Sequence, residues 1–150
     1  MESDWTFTHV GIIVRDIEKT IQYYESLGIF TIPNKTPFLM EGSKVKIKGV
    51  HLFLGTQWIE VFQPAGGDSI QQRFLDQHGE GLNHIGYMVA DLEKERQYLA
   101  SKGVPVAYHV KNTASYYNTG EFGNMLVELS LGRETPESAA GGKPSADALK

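Results

Sequence analysis

Residues 8–29 read THVGIIVRDIEKTIQYYESLGI, and residues 83–104 read NHIGYMVADLEKERQYLASKGV. Aligned without a gap, ten of these 22 positions are identical: His, Gly, Val, Asp, Glu, Lys, Gln, Tyr, Ser and Gly. The offset is 75 residues, half of the 150-residue chain. A solenoid needs about three or more repeats, so two copies of this length point to a pseudo-symmetric pair of modules. Each copy opens on a β-rich run, His9–Val14 or His84–Val89. Asp16 and Asp91 follow where a helix N-cap belongs. Ile17, Ile21, Tyr24 and Leu27 mark an apolar helix face in the first copy, and Leu92 and Leu99 a thinner one in the second. Gly28 and Gly103 stand where a left-handed residue ends a helix.

Working outward, Lys44–Leu54 and Gln57–Gln63 read as strands joined at Gly55-Thr56, and Pro105–Val110, Ser115–Asn118 and Met125–Leu131 are strand candidates in the second half. The expected fold is α+β: two βαβββ modules, residues 5–64 and 81–131, around a linker of residues 65–80 that holds a short helix over Asp68–Gln77. Residues 132–150 lack a core-forming aliphatic run and are expected to be a disordered tail.

Composition narrows the function. Apolar residues make up 41% and charged residues 21%, an ordinary globular mixture and not that of a disordered chain, a collagen or a coiled coil. The net charge of −4 offers no basic surplus for phosphate contacts, so nucleic acid is not an expected partner. No apolar run reaches the roughly 18 residues of a membrane span, and the polar, acidic start MESDWTFTHV is unlike a secretory signal. A cytoplasmic setting is expected. With no cysteine, thiolate metal sites and cysteine nucleophiles are excluded, and any metal must sit on His, Asp, Glu or Gln.

The repeat supplies such a set. His9 opens the first module and Glu60 lies in its last strand; His84 opens the second and Glu128 lies in its last strand. Each glutamate is flanked by apolar residues, and a charged group within such a strand faces water or needs a partner. If the modules pair about a pseudo-twofold axis, the four side chains converge. Two imidazoles and two carboxylates suit one divalent ion, Zn, Co, Ni, Mn or Fe. Trp58 and Phe62 share the face of Glu60 by alternation and could line a substrate pocket. Met88, Tyr116 and Tyr117 are further substrate-binding candidates. His78 and His109 have no counterpart in the other copy and read as surface or structural. Lys44, Lys46 and Lys48 alternate onto one strand face, either solvated or available to an anionic substrate.

Twin modules that each open on H-x-G-x-x-V-x-D-x-E-K resemble the vicinal oxygen chelate superfamily over about residues 5–131. That superfamily includes glyoxalase I, methylmalonyl-CoA epimerases, extradiol dioxygenases and bleomycin-binding proteins. The resemblance implies curled sheets forming a cleft with a divalent metal at its base. Matched by position, the ligands are His9, Glu60, His84 and Glu128. Ile59–Pro64, Asp68–Ile70, Phe74-Leu75 and Gly79–Ile85 are similar to methylmalonyl-CoA epimerases, while the arginine that glyoxalase I tends to carry four residues after its first ligand is here Ile13. The implied activity is a metal-dependent isomerase, epimerase or lyase that forms an enolate on a small carbonyl or acyl-CoA substrate. The alternatives are a glyoxalase I-like lyase, a non-haem iron dioxygenase and a non-catalytic binding or resistance protein. The superfamily's members often pair, so a homodimer is expected. One departure concerns the base. The glutamate used by the epimerases is absent from Val45–Gln57, and the matching place falls at or beside His51. Glu60, Glu128 and His51 are therefore the candidate proton acceptors.

Overall fold

The computed structural model describes residues 4–42, 44–110, 113–119, 125–132 and 135–140. In chain order the elements are β1 (Thr6–Ile13), α1 (Ile17–Ser26), β2 (Phe38–Glu41), β3 (Lys46–Leu54), β4 (Gln57–Gly66), α2 (Ile70–His78), β5 (Gly81–Met88), α3 (Leu92–Ser101), β6 (Val106–Val110), β7 (Ala114–Asn118), β8 (Leu126–Ser130) and α4 (Pro136–Ala140). The eight strands form one curled sheet in the order β2-β3-β4-β1-β5-β8-β7-β6. The order reads as β2-β3-β4-β1 followed by its mirror β5-β8-β7-β6, so the sequence repeat becomes a pseudo-twofold relation. β1 and β5 meet antiparallel at the centre, and each runs parallel to the last strand of its own module.

The local signals act as expected in both copies. The carboxylates of Asp16 and Asp91 accept from the backbone N–H groups of Lys19 and Lys94, capping α1 and α3. Gly28 (φ 67°) and Gly103 (φ 74°) take the left-handed conformation just beyond the helices. In the linker, Ser69 caps α2, which therefore begins two residues later than its composition suggests.

Two readings change. The first module needs a third strand after its helix, and this is β2, an edge strand whose residues alternate half-buried and exposed but whose sequence, Phe38-Leu39-Met40-Glu41, is too short and too uniformly apolar to display that period. The tail, expected to be disordered, contains α4. The Thr135 and Ser138 side chains each bond the other's backbone N–H, and Pro136 opens the helix. The rest of that expectation, residues 133–134 and 141–150, lies outside the described residues.

α1 packs Ile17 and Ile21 against Val50, Leu52 and Val61 on the convex face. α3 lies over Val89, Tyr117 and Leu129, with Leu92 and Leu99 turned inward. Fully burying one such aliphatic side chain contributes about 1.5–3 kcal/mol. The third cluster, Ile13, Ile47, Phe62 and Leu75, places α2 across one end of the other face. The cleft is thereby left between two covered modules, with β1 and β5 as its floor.

Candidate metal centre

Strand alternation sends His9 from β1 and His84 from β5 into the cleft, and the outer partners β4 and β8 send Glu60 and Glu128 toward them. One ligand atom from each of the four lies within 4.8 Å of all the others. His9 Nε2 and His84 Nε2 are 3.2 Å apart. Glu128 Oε2 is 3.2 Å from both imidazoles, and Glu60 Oε2 is 3.2 Å from His84 and 3.7 Å from His9. Ligands held tetrahedrally at about 2.0–2.2 Å from an ion would stand roughly 3.3–3.6 Å apart. The five pairs that include an imidazole, at 3.2–3.7 Å, already stand close to that spacing. His9 and His84 are 3% and 1% exposed.

The donor chemistry fits a cation as well. Fully buried, Glu60 Oε2 receives no directed hydrogen bond. Each imidazole is held from behind by the residue that precedes it. Thr8 Oγ1 lies 2.9 Å from His9 Nδ1, and Asn83 Oδ1 lies 3.1 Å from His84 Nδ1. An Asn83 oxygen that accepts from Nδ1–H turns the other ring nitrogen inward as a ligand. Thr8 and Asn83 occupy the same repeat position. The sequence reading passed over them, although a polar residue before each histidine was the available signal.

The two carboxylates are also flanked from the side. His51 lies directly across from Glu60 on β3, with Nε2 3.3 Å from Glu60 Oε1. Tyr116 lies directly across from Glu128 on β7, with its hydroxyl beside that carboxylate's charge. His51 and Tyr116 are therefore counterparts in the two modules.

Charge within the cluster is strongly coupled. Burial pushes His84 toward the neutral form, but the carboxylates of Glu128 and Glu60 beside it prevail and raise its pKa to about 9. Burial likewise opposes ionisation of Glu60 and Glu128, yet the histidines bonded to them hold both well below the ordinary carboxylate value. Burial and the nearby Glu128 charge keep the Tyr116 hydroxyl protonated. Without an ion, the proton held on His84 offsets carboxylate charge, and a divalent cation would take over that role.

Above the cluster is a cavity of about 220 Å³. Its first-module wall carries Met40, Ile47, Trp58 and Phe62, so Trp58 and Phe62 stand where alternation puts them. The other wall carries Tyr108, Thr113, Tyr116 and Ser130. Among the described residues lining it, only Glu60 and Glu128 are acidic. Tyr108 and Gln71 also line it and were not singled out from sequence.

Other candidates lie elsewhere. Tyr117 is a correction: adjacent to Tyr116 on β7, it points to the opposite face and is buried with Val89 and Leu129. Met88 is a second correction. It shares the parity of His84 but sits at the far end of β5, opposite Thr6 and Ser130, and is not on the cavity wall. His51 is off that wall too, packed among Phe38, Phe53 and Trp58 and touching the site through Glu60. Lys46 and Lys48 turn away from the cleft to pair with Glu41 and Glu18. His109 bonds Ser115, and His78 packs on Phe74.

Known proteins resemble this chain in sequence and fold. A family model described as the Glyoxalase/Bleomycin resistance protein/Dioxygenase superfamily matches residues 8–119. The uncharacterized protein YqjC of Bacillus subtilis (strain 168) is 30% identical over 128 residues, 85% of this chain and 83% of that one. The mitochondrial methylmalonyl-CoA epimerase of Homo sapiens is 28% identical over 129 residues, 81% of this chain and 70% of its own. The crystal structure of methylmalonyl-CoA epimerase from Mycobacterium tuberculosis superposes with a TM-score of 0.70 at 23% identity, covering 93% of this chain and 95% of that one. With its mirrored βαβββ modules and a match running from the residue before His9 to the end of β7, the chain belongs to the glyoxalase/bleomycin resistance/dioxygenase superfamily.

Proposed function

We propose that this chain is a divalent-metal-dependent isomerase or epimerase that moves a proton α to a carbonyl, with an acyl-CoA of the methylmalonyl type as the first substrate to test. The observation that carries the reading is the convergence of His9, Glu60, His84 and Glu128 at ion-binding spacing beneath a cavity whose described acids are those same two glutamates. The similarity to methylmalonyl-CoA epimerases supports the substrate class. The four residues would hold one Co, Ni, Zn, Mn or Fe ion. Bound there, the ion would supply positive charge to offset the negative charge that develops on a carbonyl oxygen.

The chain's own residues supply the rest. Glu60 and Glu128 approach from different modules, and each has an oxygen within reach of the cavity to accept or return a proton. His51 fixes Glu60 through Oε1 and acts through it, while the protonated Tyr116 hydroxyl stands beside Glu128. Trp58, Phe62 and Ile47 exclude water from the carbon being deprotonated. A glyoxalase I-like lyase is the second reading, favoured by the fact that both carboxylate ligands are glutamates. A homodimer and a cytoplasmic setting belong to the same proposal. No helix among the described residues is long and apolar enough to cross a membrane.

Two measurements test it. Protein reconstituted separately with each metal is incubated in D₂O with methylmalonyl-CoA and, in parallel, with a hemithioacetal. Metal-dependent deuterium incorporation into the first supports the epimerase reading, and turnover of the second alone moves the assignment to the lyase. Elemental analysis should find near-stoichiometric metal in the wild type and sharply less in His84→Ala, with circular dichroism unchanged. Equal metal in both proteins would sink the ligand assignment.

A further inference from the structure

The H-x-G spacing recurs in both copies, and the fold gives a reason for it. In the antiparallel β1–β5 pair, His9 lies opposite Gly86 and Gly11 lies opposite His84. Each imidazole therefore lies across the centre of the sheet over the glycine of the other module. A Cβ built on Gly86 would lie 2.0 Å from His9 Cε1, and one built on Gly11 1.9 Å from His84 Cε1, both far inside van der Waals contact. The rings have little room to step aside. His9 stacks on Trp58 at 4.7 Å with the planes 15° apart, and His84 meets Tyr116 edge-on at 5.1 Å. The backbone does not call for glycine, since neither position is among those with positive φ. In a strand interior, glycine is ordinarily the less stable choice than alanine.

We propose that Gly11 and Gly86 are positioning residues of the metal centre, each leaving vacant the space in which the opposite module's imidazole brings Nε2 to the cluster. Ligand placement is thereby tied to correct pairing of β1 with β5. The inference rests on the metal reading above for its functional consequence, but the steric part stands apart from it.

The test has two parts. In metal-free protein, melting temperatures are measured for wild type, Gly86→Ala, His9→Ala and the double variant. Gly86→Ala should lower the melting temperature in the wild-type background, and have no effect or raise it once His9 is alanine. An equal fall in both backgrounds would overturn the cradle. In the second part, Co(II) is titrated into wild type, Gly86→Ala and Gly11→Ala, following the visible absorption of the bound ion. Each alanine should weaken binding by about 10- to 100-fold, the range for losing a group that orients a ligand, and change the spectrum. Wild-type affinity and spectrum in both variants would overturn the positioning role. A wild type that binds no Co(II) would remove the metal centre and with it that role, leaving the melting comparison to decide the cradle alone.

Discussion

At the scale of single residues, the site depends on groups that never touch a substrate. Asn83 Oδ1 fixes which His84 nitrogen faces inward, and the Thr8 hydroxyl, which can donate or accept, holds the orientation of the His9 ring. Asn83→Leu would keep the bulk, remove the acceptor and leave a buried Nδ1–H unpaired. Metal affinity should fall by about 10- to 100-fold, and isothermal titration with Zn or Co would measure it. An affinity unchanged from wild type would show that the ring needs no help from behind. Tyr116 and Tyr117 make a sharper pair. Tyr116→Phe removes a hydroxyl from the cavity wall beside Glu128 and should reduce turnover while leaving stability nearly intact. Tyr117→Ala empties part of the core under α3, with a cost of about 3–5 kcal/mol in urea melts by analogy with Phe→Ala, and little effect on metal stoichiometry. The reverse pattern would mean that the two faces of β7 have been exchanged.

Elements explain what was legible. The 75-residue repeat specified both first strands, both capped helices and their glycine ends, because those features are local. The hairpin was legible for the same reason. With a two-residue turn at Gly55-Thr56, Leu54 must face Gln57, and three steps further His51 must face Glu60. No such ruler exists in the second module, where seven residues separate Asn118 from Leu126. Alternation required that only one of Tyr116 and Tyr117 face the cleft, but the register of β7 on β8 decides which. β2 was missed because a four-residue edge strand carries almost no period, and Met88 was misplaced because parity gives a face and not a distance along the strand. The N-caps are testable at this scale. Asp91→Ala should cost about 0.5–2 kcal/mol, seen as a lower midpoint in urea with an unchanged slope. No shift would mean that α3, whose buried face is thin, adds little to global stability.

At the scale of the whole molecule, the two modules meet along β1 and β5, and the buried ionisable cluster sits on that seam. Without metal, its stability follows the proton on His84. Its folded pKa of about 9 lies above the ordinary value of 6.5. Its favourable contribution is therefore complete below about pH 6.5 and lost as the pH rises through about 9, leaving two buried carboxylates without a balancing charge. A bound cation supplies that balance and displaces the proton, so metal uptake should release protons and tighten as pH rises toward 9. A ligand that binds only the folded state also stabilises it in proportion to its affinity. The two effects act in the same direction: the melting temperature of metal-loaded protein minus that of chelator-treated protein should be larger at pH 9 than at pH 6.5. Differential scanning calorimetry at the two pH values, with proton release followed in weak buffer, measures both quantities. A difference independent of pH, with no protons released, would place the ion away from the four residues that join the modules.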